Sequence, residues 1–117
     1  MALIPERPDR LDRIQGTLDM LILRTLSGGA MHGWSISHEI RARSSDALQV
    51  NQGALYPALH RLEDRGWVSA AWGVSENNRR ARFYTLTADG RAQLAHQTAD
   101  WLAFVRAVHQ VMQLAPA

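Results

Sequence analysis

Apolar residues between Val50 and Gly66 fall on a single helical stripe. Leu55, Ala58, Leu59 and Leu62 recur at i, i+3, i+4 and i+7, which brings them to one side of a 3.6-residue helix. Asn51 suits the N-cap, and Gly66 suits the left-handed residue past the end. The opposite side carries Gln52, Gly53, Tyr56, His60, Arg61 and Asp64. Its N-terminal half lacks negative charge, the composition of a helix that reads a nucleic-acid groove. An ordinary amphipathic core helix has the same stripe, so the neighbouring elements must separate the two readings. Pro57 removes one N–H from the helical ladder, and propensity alone lets the regular helix begin near Tyr56.

Upstream, the pattern gives two more helices. Residues 1–15 contain Pro5, Pro8 and alternating charges, and read as an arm, disordered or helical from about Asp9. Thr17 is placed to cap a first helix running to about Ser27, ended by Gly28-Gly29. Leu18, Leu21, Ile22 and Thr25 form one face, with Met20 and Leu23 opposite. A helix apolar all round must be buried all round. So small a domain is expected to need a partner chain over the Met20–Leu23 face. A turn at Gly33 then leads into a short helix with Trp34, Ile36 and Ile40 inward, and a turn at Ser44-Ser45-Asp46. Leu48 and Val50 suggest a short strand before Asn51. Helix, turn, helix, connection and helix make a helix-turn-helix unit with its later helix presented outward.

Beyond Gly66 the period changes. Trp67–Trp72 and Arg82–Leu86 are rich in strand formers, and the turn residues Ser75, Asn77 and Asn78 lie between them, followed by Arg79-Arg80. Two strands joined by a basic loop, directly after a reading helix, make a wing; a solvated loop is the plainer alternative. Thr87 caps the last helix, with Asp89 near its positive end and Gly90 tolerated in its first turn. Leu94, Trp101 and Val108 are seven apart, with Phe104 and Val111 three after the latter two, and Val105 and Met112 widening the seam. A helix from Ala88 to Leu114 would run roughly 40 Å. It outreaches the body, so its stripe is expected to bury against the first helix of a second copy across a two-fold axis.

The 117 residues suit one domain with a modest core. The net charge of +2 does not by itself announce nucleic acid. All the basic residues are Arg, which suits bidentate contacts to phosphate or guanine but also follows from GC-rich coding. With no cysteine, disulfides, thiolate metal sites and a Cys nucleophile are excluded. No stretch is long enough to span a bilayer, and a cytoplasmic protein is the default expectation. The five histidines show no metal-ligand spacing, and no serine sits in a nucleophile elbow. No enzyme activity, metal or cofactor is expected.

Four segments carry a resemblance: Gly16–Leu26, His32–Ile36, Gly53–Gly66 and Asn77–Leu94. Leu55-Tyr56-Pro57 followed by Arg61-Leu62-Glu63 is the most specific part. The chain resembles PadR-type transcriptional regulators of the shorter class, with a single C-terminal helix. The resemblance implies a dimeric winged-helix DNA-binding protein, usually a repressor released by a small molecule. It implies a reading helix over about Gln52–Arg65, with Pro57 accommodated, and wing arginines Arg79, Arg80 and Arg82. Ala54 departs from the Ser or Thr of many members, so an operator sequence does not transfer.

The expected class is mainly α with a small β wing. It comprises an arm (1–15), a winged helix-turn-helix (16–86) and a C-terminal dimerisation helix (87–117). Duplex DNA is the expected partner, through Asn51, Gln52, Tyr56, His60, Arg61, Arg79, Arg80 and Arg82. A homodimer is expected through Met20, Leu23, Leu94, Trp101, Phe104, Val105 and Val108, with Trp101 also the candidate contact for an aromatic or amphipathic effector. The competing reading is a winged helix used only for protein–protein interaction.

Overall fold

The computed structural model describes residues 7–114, with side chains from Gly16 onward. Four helices and a small antiparallel sheet make up these residues: α1 (Arg7–Leu26), β1 (Met31–His32), α2 (Gly33–Arg43), α3 (Gln52–Asp64), β2 (Val68–Val74), β3 (Arg80–Leu86) and α4 (Ala88–Met112). The strand order is β1-β3-β2. β2 and β3 form the wing hairpin, in register from Val68 opposite Leu86 to Val74 opposite Arg80. The expected class, mainly helical with a β wing and a long last helix, is the one observed.

α1 is one helix from Arg7, so Thr17 is interior to it rather than its cap. Residues 1–6 of the expected arm lie outside the described residues. α1 packs against α2, α3, β3 and α4. That encirclement answers the puzzle of its all-round apolarity: Leu18, Ile22, Leu23 and Leu26 are buried by their own chain. Leu23 is therefore a core residue and not part of a free dimer surface, and Met20 packs half-buried against the same core. Thr25 is buried too, its hydroxyl donating to the Leu21 carbonyl at 2.7 Å, as a buried polar group requires.

Along α3, the whole stripe Leu55, Ala58, Leu59 and Leu62 is buried. Asn51 Oδ1 accepts from the Ala54 N–H at 2.9 Å, so the helix starts at Gln52 and runs through Pro57. The cap fixes the first turn, and Pro57 lies in the turn that follows without breaking the helix. Gly66 takes the left-handed conformation, φ +76°. Two expectations fail nearby. No strand forms over 48–50, and the strand missing there is instead β1, pairing Met31 with Tyr84. Trp34 points outward, 58% exposed, because it is two residues before Ile36 and so on the far side of a helix that buries Ile36 and Ile40.

Thr87 caps α4 as expected, accepting from the Gly90 N–H at 3.0 Å. Gly90 is more than tolerated: a Cβ there would collide with the Trp67 carbonyl oxygen and the Leu86 side chain. Leu94 is the last buried residue of α4 and belongs to the chain's own core, not to the open stripe beyond it. From Trp101 onward the helix carries Trp101, Leu102, Phe104, Val108, Val111 and Met112 exposed, with Val105 half-buried.

Candidate nucleic-acid interface

α3 offers solvent the side opposite its buried stripe: Gln52, Gly53, Tyr56, His60 and Asp64. No acidic residue occupies its first turn, so the partial positive charge of the helix start is uncompensated there. Tyr56 is half exposed, with its ring against Gly33, where any Cβ would strike it. A small residue at the start of α2 thus seats the phenol. His60 lies one turn further on, exposed and 3.7 Å from Asp64.

The wing rises beside this face. Its tip is a tight turn: the Ser75 N–H donates to the Arg79 carbonyl at 2.8 Å, and Asn78 supplies the positive φ of 60°. Arg80 opens β3, its guanidinium 4.7 Å from the centre of the Trp72 ring. Glu76 reaches back to within 3.7 Å of His32 Nε2. His32 caps α2 through Nδ1, which accepts from the Ser35 N–H at 3.3 Å, and meets the Phe83 ring edge-on at 5.4 Å. Between wing and helices lies a cleft of about 730 Å³, whose lining includes Trp34, Tyr56, Trp72, Arg79, Arg80 and Arg82. Aromatic rings interleaved with arginine suit a polyanion with flat, stackable parts.

The residues expected to meet DNA separate into two groups. Gln52, Tyr56, His60, Arg79 and Arg80 are exposed. Arg61 is not available in the same way: its Nη2 donates to Asp19 Oδ1 of α1 at 2.8 Å, tying α3 to the body. Arg82 is likewise committed, donating from Nη2 to Glu63 Oε2 at 2.7 Å. Burial pushes the Asp19 carboxyl up from its ordinary value, against the pull of the Arg61 hydrogen bond and charge and the Arg65 charge. Asn51 spends its Oδ1 on the cap. The sequence pattern assigned Trp34 to the core and left His38 and Trp72 out of the site. The clue for Trp34 was available in the period of Ile36 and Ile40.

Among the described residues, no group of three or more His, Asp or Glu side chains could hold a metal ion, and no helix is long and apolar enough to cross a membrane.

Fold and site together define a winged-helix transcription regulator. Residues 22–96 match the family described as the transcriptional regulator PadR-like family. The chain is 32% identical over 92 residues to an uncharacterised protein of Lysinibacillus sphaericus, spanning 79% of this chain and 84% of that protein. Among solved structures it resembles a transcriptional regulator from Clostridium thermocellum, with TM-score 0.77, 27% identity and coverage of 85% of this chain and 96% of that one. A PadR-like regulator from Bacillus cereus, at TM-score 0.74 and 21% identity over 89% of this chain and 99% of that one, shares the fold. The chain belongs to the PadR-like family of transcriptional regulators.

Proposed function

We propose that the protein is a sequence-specific repressor that binds duplex DNA as a homodimer, in the cytoplasm, and is released by an aromatic or amphipathic small molecule. The observation that carries the dimer is the distal half of α4. Phe104, Val111 and Met112 are 61%, 82% and 61% exposed, on a helix whose last fully buried residue is Leu94. Apolar side chains in that number along one projecting helix call for a partner, and a second copy supplies the matching stripe. Trp101, Phe104, Val105 and Val108 form the seam, with Met20 at its edge on α1. The units of the chain in this reading are a winged helix-turn-helix to residue 86 and a dimerisation helix from 87.

With two reading helices, the dimer meets half-sites about 10 bp apart in successive major grooves. Gln52 and Tyr56 lie nearest the base edges, with Asn51 beside them. His60 follows the backbone, and Arg79 and Arg80 reach phosphates or the minor groove from the wing. Arg82 and Arg61 hold the scaffold. The effector enters between Trp101 and its symmetry mate. Trp101 already packs against Phe104 with ring centroids 6.1 Å apart, which offers a flat ligand an aromatic wall. Release requires that the ligand prefer a dimer geometry in which the reading helices are misaligned.

One paired experiment tests this reading. Sedimentation is run on the full chain and on the Phe104→Glu, Val108→Glu variant, and each is titrated with the duplex upstream of its own gene at two salt concentrations. The expected outcome is a dimer with salt-dependent, sequence-selective affinity, and a monomeric variant that loses most of that affinity. A winged helix used only for protein contacts would show no salt-dependent DNA binding at all, and a variant that stays dimeric would overturn the seam.

A further inference from the structure

A second cleft opens between α2 and the connection, residues 49–51, that leads into α3. It measures about 410 Å³ and is lined by Trp34, Ser37, His38, Arg41, Gln49 and Asn51, with Val50. Trp34 is the shared wall: it lines this cleft and the wing cleft alike. Its indole stacks on His38 with centroids 4.8 Å apart and planes 10° from parallel, so one turn of α2 holds both rings as a fixed plate. The polar groups here are an indole N–H, a hydroxyl, an imidazole, a guanidinium and two side-chain amides. No carboxylate lines the cleft. The nearest counter-charge is Asp46, which takes only the Nε of Arg41, at 3.0 Å. The other guanidinium N–H groups of Arg41 remain available, and its side chain is more than half exposed.

We propose that this cleft binds the sugar-phosphate backbone of the operator strand flanking the major groove, on the side of α3 away from the wing. The inference rests on the DNA-binding reading above and adds a contact to it. A helix entering the groove is bordered by a phosphate strand on each side, and phosphate contacts set its register. The wing arginines serve one border. The Trp34–His38 plate, with Arg41 and Gln49, serves the other. The indole N–H, the imidazole and the guanidinium N–H groups of Arg41 that Asp46 leaves open, with a flat aromatic wall for the sugar and no carboxylate in the lining, suit that ligand.

The test couples protein and DNA changes. A duplex chosen by selection with the wild-type protein is made with single phosphates replaced by neutral methylphosphonates, one position at a time. Wild-type protein should lose about tenfold in affinity at one flanking phosphate per half-site, the effect of a lost charge-assisted hydrogen bond. Trp34→Phe keeps the ring and removes the N–H; His38→Ala removes the plate's second ring. Both variants should bind the unmodified duplex more weakly and become indifferent to that phosphate. If Arg80→Ala weakens binding while every phosphate affects wild type and these variants alike, the second cleft is overturned and the DNA reading stands. If the wild-type protein selects no duplex, both fall together.

Discussion

The root of the wing and its tip use the same kinds of residue for different work. At the root, Arg82 is tied to Glu63 of α3 at 2.7 Å. The Trp67 carbonyl accepts from the Thr87 N–H at 3.1 Å, and the Thr87 hydroxyl donates to the Gly66 carbonyl at 2.7 Å. The end of α3, the start of β2 and the start of α4 thus meet in one joint. At the tip, Arg79 and Arg80 have no carboxylate partner among the described residues, and Arg80 lies over the Trp72 ring. Within the wing, the arginine with a carboxylate in reach positions an element, and those without are left for an outside anion. Arg61 sides with the root, because Asp19 holds it.

The joint should break hardest at Gly90. Gly90→Ala forces a methyl into the Trp67 backbone carbonyl, and no rotamer change relieves an overlap with backbone. The expected loss is about 3 kcal/mol of stability, read from urea unfolding. A loss near zero would show that the joint yields and that α4 is not rigidly set against the wing. Next comes Arg61→Met, which strands a mostly buried carboxylate on Asp19, 13% exposed. It should cost about 2 kcal/mol. Asp19→Asn, which leaves to water an arginine whose side chain is already 33% exposed, should cost less. The reverse order would mean that Arg61 is not held for structural reasons.

At the tip the signs invert. Arg80→Ala should leave the unfolding midpoint almost unmoved and weaken DNA binding to all sequences about tenfold, with the salt slope reduced by about one. An exposed ion pair such as Arg82–Glu63 contributes no more than about 1 kcal/mol, so Arg82→Ala should do a little of both. If Arg80→Ala destabilised the fold while sparing affinity, root and tip would have to be exchanged.

What the sequence revealed and what it hid follow the same division. Local rules were legible: the α3 stripe, the Asn51 and Thr87 caps, and the Gly66 end each depend on residues within a turn or two. Long-range pairings were not. Asp19 and Arg61 are 42 positions apart, and no local pattern assigns the arginine to a carboxylate rather than to DNA. β1 is only Met31–His32, too short to show a period, and exists because Phe83 and Tyr84 pair with it. Leu23 misled for the same reason: its face was unaccounted for until α1 proved to be ringed by four elements of its own chain. Trp34 and Leu94 show the limit of reading apolarity alone, since one large apolar residue faces water and the other closes the core.

The smallest effect tests the balance at the root by pH. Burial raises the Asp19 carboxyl above its ordinary 3.8, and the hydrogen bond and charge of Arg61, with the Arg65 charge, pull it back without cancelling the rise. Between 3.8 and the raised value the folded chain holds more protons at this site than the unfolded chain. Stability from Asp19 is therefore full below 3.8 and is lost as pH climbs through the raised value. Asp19→Asn cannot titrate, so the stability of wild type minus that of the variant should fall with rising pH across this window and then level off. Arg61→Met removes the largest downward pull, which should carry the window to higher pH and deepen the fall. A difference that instead rose with pH would mean that the ion pair outweighs desolvation in the folded chain, and that Arg61 stabilises the charged carboxylate rather than only limiting its cost.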